Sequence, residues 1–129
     1  MLIVEDEYSQ ADVLSLLLKL EGFEVAVAVH GQDAIAQMPR VQPALIVTDY
    51  MMPVMTGGEM ARQIRQTSAY QKIPIVMTSA TLPEQVEKHS KFYDVFLRKP
   101  YQWDDLLAAI KRLLGDGGSL GPSPPPVLP

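Results

Sequence analysis

The chain has 129 residues, 47% of them apolar, and carries a net charge of −4. That suits one folded domain with a core of its own. Mild acidity argues against direct nucleic-acid binding, which wants a basic patch. The lack of cysteine excludes disulfides and thiolate metal sites, and no apolar run approaches a membrane span. No signal peptide is visible either, so the expected location is cytoplasmic and no membrane partner is expected.

Met1 to Val4 reads as an apolar strand ending in an acidic triplet, Glu5-Asp6-Glu7. With no polar residues ahead of that strand, the chain is expected to start slightly inside its natural domain. A helix follows from about Tyr8 to Leu20, with Ala11, Leu14, Leu17 and Leu18 on one face and Gly22 placed to close it. Glu24 to Val29 alternates around Val25, Val27 and Val29 and predicts a second strand. Gln32 to Met38 predicts a short helix stopped by Pro39.

Ala44 to Gly57 is the stretch around which the rest is arranged. Its apolar run, Ala44 to Val47, predicts a strand buried on both faces, with Asp49 where the run stops. Pro53 ends extended pairing, and Gly57-Gly58 is read as permitting positive φ. Taken alone, Asp49 reads first as a loop carboxylate or helix cap, because Asp is common after strands, and only then as a ligand. A helix from Gly58 to Gln66 comes next, then a strand from Ile73 to Thr78 and a loop at Ser79-Ala80-Thr81. Pro83 to Ser90 is a weak, polar helix. Val95 to Arg98 is the last strand, ended by Lys99-Pro100, and Trp103 to Leu114 is an amphipathic helix. From Gly115 to Pro129 the chain holds four glycines and five prolines, the composition of a flexible tail or linker.

Strict alternation of strand and helix predicts an α/β fold with a five-stranded parallel sheet of order 2-1-3-4-5, flavodoxin-like, with helices on both faces. Four strand ends then converge on one edge and deliver Glu5 and Asp6, Asp49, Ser79 and Lys99. Clustered carboxylates repel one another, and a hard divalent cation with oxygen ligands resolves the repulsion. Asp6 and Asp49 are the direct ligand candidates, with Glu5 acting directly or through water and the main-chain carbonyl of Met51 as a further oxygen. Lys99 adds a mobile cation for a phosphoryl oxygen and Ser79 a hydroxyl. Together these groups suit phosphoryl transfer onto a carboxylate.

Val4-Glu5-Asp6-Glu7, Thr48-Asp49 with Met52-Pro53 and Gly57, Pro74 to Ala80, and Lys99-Pro100 together resemble the receiver domain of two-component response regulators (CheY-like family). The resemblance covers about Met1 to Leu114, with residues 115–129 as tail. It implies that Asp49 is the phosphoacceptor, charged by a histidine kinase or histidine phosphotransfer protein. It implies Mg2+ at Glu5 and Asp6, Lys99 on the phosphoryl group across a cis bond to Pro100, Ser79 as switch hydroxyl and Phe96 as switch aromatic. Output would pass through the fourth helix, fifth strand and fifth helix to a protein target, a linked output domain or a second copy in a homodimer.

Some residues depart from the family pattern. Ala44 replaces a common acidic residue, and Phe96 lacks a hydroxyl. The segment from Thr81 to Asp94 is short and lacks the usual small-residue turn, so the fourth helix is expected to be short or shifted. Tyr50, directly after Asp49, is read as limiting water access. His30 and His89 are read as away from the acidic cluster, and Trp103 as part of the last helix's core or rim.

Three alternatives compete. An aspartyl phosphatase would want a second acid where Met51 stands. A flavodoxin-like redox protein would want a phosphate loop where Glu5-Asp6-Glu7 stands. A receiver-like interaction module would signal without phosphorylation.

Overall fold

A computed structural model describes residues 1–80 and 83–116. The strands are β1 (Leu2–Val4), β2 (Ala26–Ala28), β3 (Ile46–Asp49), β4 (Ile75–Ser79) and β5 (Val95–Arg98). Between and after them come α1 (Tyr8–Leu20), α2 (Gly31–Val41), α3 (Gly57–Gln66), α4 (Pro83–Val86) and α5 (Trp103–Asp116). All pairings are parallel, in the order β2-β1-β3-β4-β5, which is the predicted flavodoxin-like topology.

Side chains alternate along each strand and so feed two separate cores. Leu2, Val4, Ile46, Ile75, Met77 and Phe96 pack with Ala34, Met38, Met60, Ile64 and Val86 under α2, α3 and α4. Ile3, Val47, Val76, Val95 and Leu97 pack with Leu18, Leu106 and Ile110 under α1 and α5. Burial on both faces explains why β1, β3 and β4 read as continuous apolar runs.

The ends of the elements differ from the sequence expectation in ways that packing explains. α2 does not stop at Pro39 but carries it inside the last turn and ends at Val41. Proline there removes one hydrogen bond, while the fully buried Met38 keeps the turn docked and Gln42, at φ 46, closes it. β2 shrinks to three residues because the edge strand pairs only with the three residues of β1. β4 starts at Ile75, two residues later than predicted, because Pro74 has no N–H to give. It runs on to include Ser79, which is fully buried in the sheet instead of lying in a loop.

α1 buries Ala11 and Leu18 but leaves Val13, Leu16 and Leu20 exposed. Gly22, at φ 98, ends it as predicted. The segment after β4 is short, as expected: α4 gives way to a 3-10 helix from Glu87 to Phe92. α5 continues through Gly115 and Asp116. The Gly/Pro-rich stretch from residue 117 onward, like Thr81, lies outside the described residues.

Candidate functional site

The carboxyl edge of the sheet is held by main-chain bonds before any side chain is considered. Glu5 N donates to Ala28 O at 3.0 Å, Tyr50 N to Thr78 O at 2.8 Å and Lys99 N to Ser79 O at 2.9 Å. These bonds carry the ladders one residue past their strands, so Glu5, Asp49, Ser79 and Lys99 leave the sheet in a fixed row. Asp49 itself is the last residue of β3, opposite Thr78.

The loop after Asp49 is folded back by close approach, and the glycines serve a different purpose from the one their sequence suggested. Neither Gly57 nor Gly58 takes a positive φ; the left-handed residue is Val54, at φ 71 and 93% exposed. Met55 N donates to Pro53 O at 2.7 Å and closes a γ-turn around it. Gly57 is needed because its missing Cβ would collide with the Asp49 carbonyl oxygen and the Met77 sulfur. Its N–H donates to Tyr50 O at 2.8 Å. Thr56 and Glu59 then form a reciprocal capping box that starts α3.

On this frame stand three carboxylates whose oxygens lie within 4.8 Å of one another: Glu5, Asp6 and Asp49. Glu5 and Asp49 are buried, at 7% and 9% exposure, while Asp6 opens to solvent. The Lys99 ammonium lies 3.3 Å from Asp49 Oδ1 and 3.5 Å from Glu5 Oε1. Glu5 Oε2 accepts from Glu7 N at 3.2 Å, so both Glu5 oxygens already have partners.

Burial pushes the Asp49 and Glu5 carboxyls above their ordinary range; Lys99 pulls each back and the neighbouring carboxylates push up again. Burial works against the Lys99 ammonium, but Asp49 and Glu5 outweigh it and raise its pKa. Among the described residues, the cluster sets three carboxylates against one lysine, more negative charge than that cation balances. All its donors are hard oxygens, and Asp6 leaves a face open to water. That donor set fits a hydrated divalent cation of the Mg2+ type.

The remaining predicted residues take definite places. Ser79 ends β4 and is joined to Lys99 through its carbonyl. The Lys99–Pro100 bond is cis. Met51 directs a 57% exposed side chain outward, while Met52 is buried in the core. Phe96 is half-buried on the α2–α3 side of the sheet, its ring 6.3 Å from Tyr93. Trp103 is half-buried against the other core. Tyr50 is buried, with its phenol 3.4 Å from His89 Nδ1 and the two rings 5.8 Å apart. His89 also covers Gly58, where a Cβ would strike the imidazole. His30 caps α2, accepting from Asp33 N at 3.1 Å. Neither histidine belongs to the acidic cluster.

Two participants were not picked out from the sequence. Gln10, in α1, accepts from Lys99 Nζ at 3.1 Å. The Tyr101 phenol is raised by burial, lowered by Lys99 and raised again by Glu5 and Asp49, so it shares the field of the site. Tyr101 could have been found from its place two residues after Lys99. Gln10 left no signal beyond lying one turn into the helix that follows the acidic triplet.

The comparisons agree with this geometry. The family model "Response regulator receiver domain" matches residues 1–111. Sensory transduction protein RegX3 of Mycobacterium tuberculosis is 37% identical over 119 residues, covering 91% of this chain and 51% of the relative. The chain thus spans about half the length of the curated relatives it matches. The signal receiver domain of a histidine kinase from Syntrophus aciditrophicus superposes with a TM-score of 0.84 at 28% identity, covering 95% of this chain and 93% of that one. Response regulator TrrA of Thermotoga maritima, solved in complex with Mg(2+)-BeF, gives 0.79 at 27% identity, covering 88% and 96%. With the five-stranded order, the acidic edge and the family match in agreement, this chain belongs to the response regulator receiver domain family.

Proposed function

We propose that this domain takes a phosphoryl group onto Asp49 from the phosphohistidine of a histidine kinase or histidine phosphotransfer protein. An Asp49 carboxylate oxygen attacks phosphorus, the P–N bond breaks, and the departing imidazole takes a proton from solvent. The product is an acyl phosphate, later hydrolysed by water to free Asp49 and inorganic phosphate. Glu5, Asp6, Asp49 and the Met51 main-chain carbonyl would hold Mg2+, with Glu5 acting directly or through water. When bound, the ion offsets the carboxylate charge and stabilises charge developing on the phosphoryl oxygens. Lys99 steadies a phosphoryl oxygen, and the cluster as a whole works by positioning and charge. The observation that carries this reading is a buried Asp49 carboxylate 3.3 Å from Lys99, within a set of oxygen donors no more than 4.8 Å apart.

The new phosphoryl group brings nearly two negative charges and several acceptor oxygens. In this reading the Ser79 hydroxyl moves toward it and Phe96 follows, which changes the face made by α4, β5 and α5. That face would signal to a protein target or a linked output domain. RegX3 is named a sensory transduction protein, and the related PhoB of Rhizobium meliloti a transcriptional regulatory protein. An attached regulatory output is the favoured destination on that ground.

The test is incubation with acetyl phosphate and Mg2+, followed by intact mass. A phosphate adduct is expected in the wild type and absent from Asp49→Ala and from chelator-treated samples. An adduct that persists unchanged in Asp49→Ala overturns the assignment. No adduct in the wild type, from acetyl phosphate or a kinase, would leave an interaction module that signals without phosphorylation.

A further inference from the structure

We propose that Gln10 is a positioning residue for Lys99, holding the ammonium off the carboxylates so that a divalent cation can enter among them. The inference rests on the metal-dependent reading above and adds to it how the site keeps its own lysine from competing. An ammonium has three hydrogens to place. Among the described residues, Lys99 Nζ has three acceptors around it: Gln10 Oε1 at 3.1 Å, Asp49 Oδ1 at 3.3 Å and Glu5 Oε1 at 3.5 Å. The neutral amide is the nearest of the three. Both carboxylates sit beyond the 2.7–2.9 Å of a close ammonium–carboxylate bond.

Each side of this contact is fixed by main chain. Gln10 N donates at 3.2 Å to Glu7 Oε1, the cap of α1, and Lys99 N donates to Ser79 O at 2.9 Å. Only the two side chains are left to adjust. Lys99 and an incoming cation need the same electron pairs: Asp49 Oδ1 and Glu5 Oε1 face the ammonium, while Glu5 Oε2 is already engaged by Glu7 N. Without the Gln10 carbonyl, the third hydrogen turns to a carboxylate. The ammonium then closes on Asp49, and the cation must displace a tighter ion pair.

The experiment is a Mg2+ titration followed by backbone amide NMR on the wild type, Gln10→Met, Lys99→Ala and the double variant. Methionine keeps the length and helix preference of glutamine but has no carbonyl, and Gln10→Ala serves as a second variant. Gln10→Met is expected to weaken Mg2+ binding about threefold, the size of one partly exposed hydrogen bond to a charged group. Lys99→Ala tightens binding by removing the competitor. In that background Gln10→Met has no further effect, since its influence runs through Lys99. Unchanged affinity in Gln10→Met overturns the inference, as does an equal loss in both backgrounds. A wild type that binds no Mg2+ overturns the metal reading itself, and this inference with it.

Discussion

Charged networks close both ends of the sheet, and they are built to opposite specifications. At the amino ends of β4 and β5, Arg65 donates to the carbonyls of Tyr70, Gln71 and Ile73 at 3.3, 3.1 and 2.8 Å, and to Asp94 Oδ2 at 3.0 Å. Asp94 Oδ2 also accepts from Ile75 N at 2.8 Å, so one ion pair ties α3, the turn after it and two strands. At the carboxyl ends, three carboxylates share one lysine among the described residues, and burial leaves Glu5 and Asp49 with raised pKa values. One network satisfies its charges and holds the fold. The other sets three carboxylates against one lysine among the described residues, an imbalance that functional sites carry at a cost in stability.

The largest effect is expected where the carboxyl edge has no room. Gly57→Ala drives a Cβ against the Asp49 carbonyl and Met77, and backbone cannot yield as a side-chain tip does. A loss of about 3 kcal/mol is expected, at the upper end for overpacking, together with weakened Mg2+ binding because Asp49 must shift. Urea unfolding and a Mg2+ titration read both quantities. Arg65→Met should cost about 2 kcal/mol, the loss of a partly buried group that bonds several acceptors at once. It should leave Mg2+ affinity unchanged. Arg65→Met altering Mg2+ binding as much as stability would erase the division between the two ends.

The two ends also differ in how far they could be read from the sequence. The carboxyl edge was legible because each of its residues lies within two positions of the end of an apolar run, and parallel strands bring those ends to the same side. Asp49 and Lys99 needed no tertiary information beyond strand order. The Arg65 strap was invisible: a basic residue in the last turn of a polar helix reads as a solvated face. Its carbonyl partners carry no sequence signature, and its one acidic partner, Asp94, lies 29 positions away. Gln10 was hidden for a related reason, since its partner is 89 positions away. The length of β2 and the survival of α2 past Pro39 were likewise decided by neighbours: the three-residue β1 in one case and the buried Met38 in the other. Gly57 and Gly58 were recognised as necessary for the wrong reason. Composition shows that a Cβ is unwelcome, but not whether the obstacle is φ or a neighbouring atom.

A smaller effect, of opposite sign, is expected from Asp49→Asn. Without metal, the variant should be more stable than the wild type by about 1 kcal/mol near neutral pH, because it removes a buried, poorly balanced charge. The folded-state pKa of Asp49 is raised, so the folded protein binds more protons than the unfolded chain between the two values. Wild-type stability from this group therefore falls as pH rises from about 4, the ordinary carboxylate value, through the raised one. The advantage of Asp49→Asn should be absent in acid, grow across that window and level off above it. Saturating Mg2+ should reverse the order, since only the wild type gains the full binding term. Thermal melts with and without Mg2+ at several pH values check the sign. A variant that is less stable than the wild type without metal at neutral pH would mean that Lys99 balances the cluster after all.

The smallest effect tests whether the edge reaches beyond itself. Tyr50 follows Asp49, and its phenol meets His89 at 3.4 Å, a long hydrogen bond on a ring that also covers Gly58. Tyr50→Phe keeps the ring and the burial and removes only the hydroxyl, so stability should drop by about 0.5 kcal/mol. The informative quantity is local. The contact links the residue after the proposed phosphoacceptor to the 3-10 helix from Glu87 to Phe92. Amide exchange should therefore quicken in Glu87–Phe92 and stay unchanged around Arg65 and Asp94. Exchange that rises equally at both ends would show a global loss of stability, whereas a rise confined to Glu87–Phe92 would make Tyr50 the connection between the acidic edge and that helix.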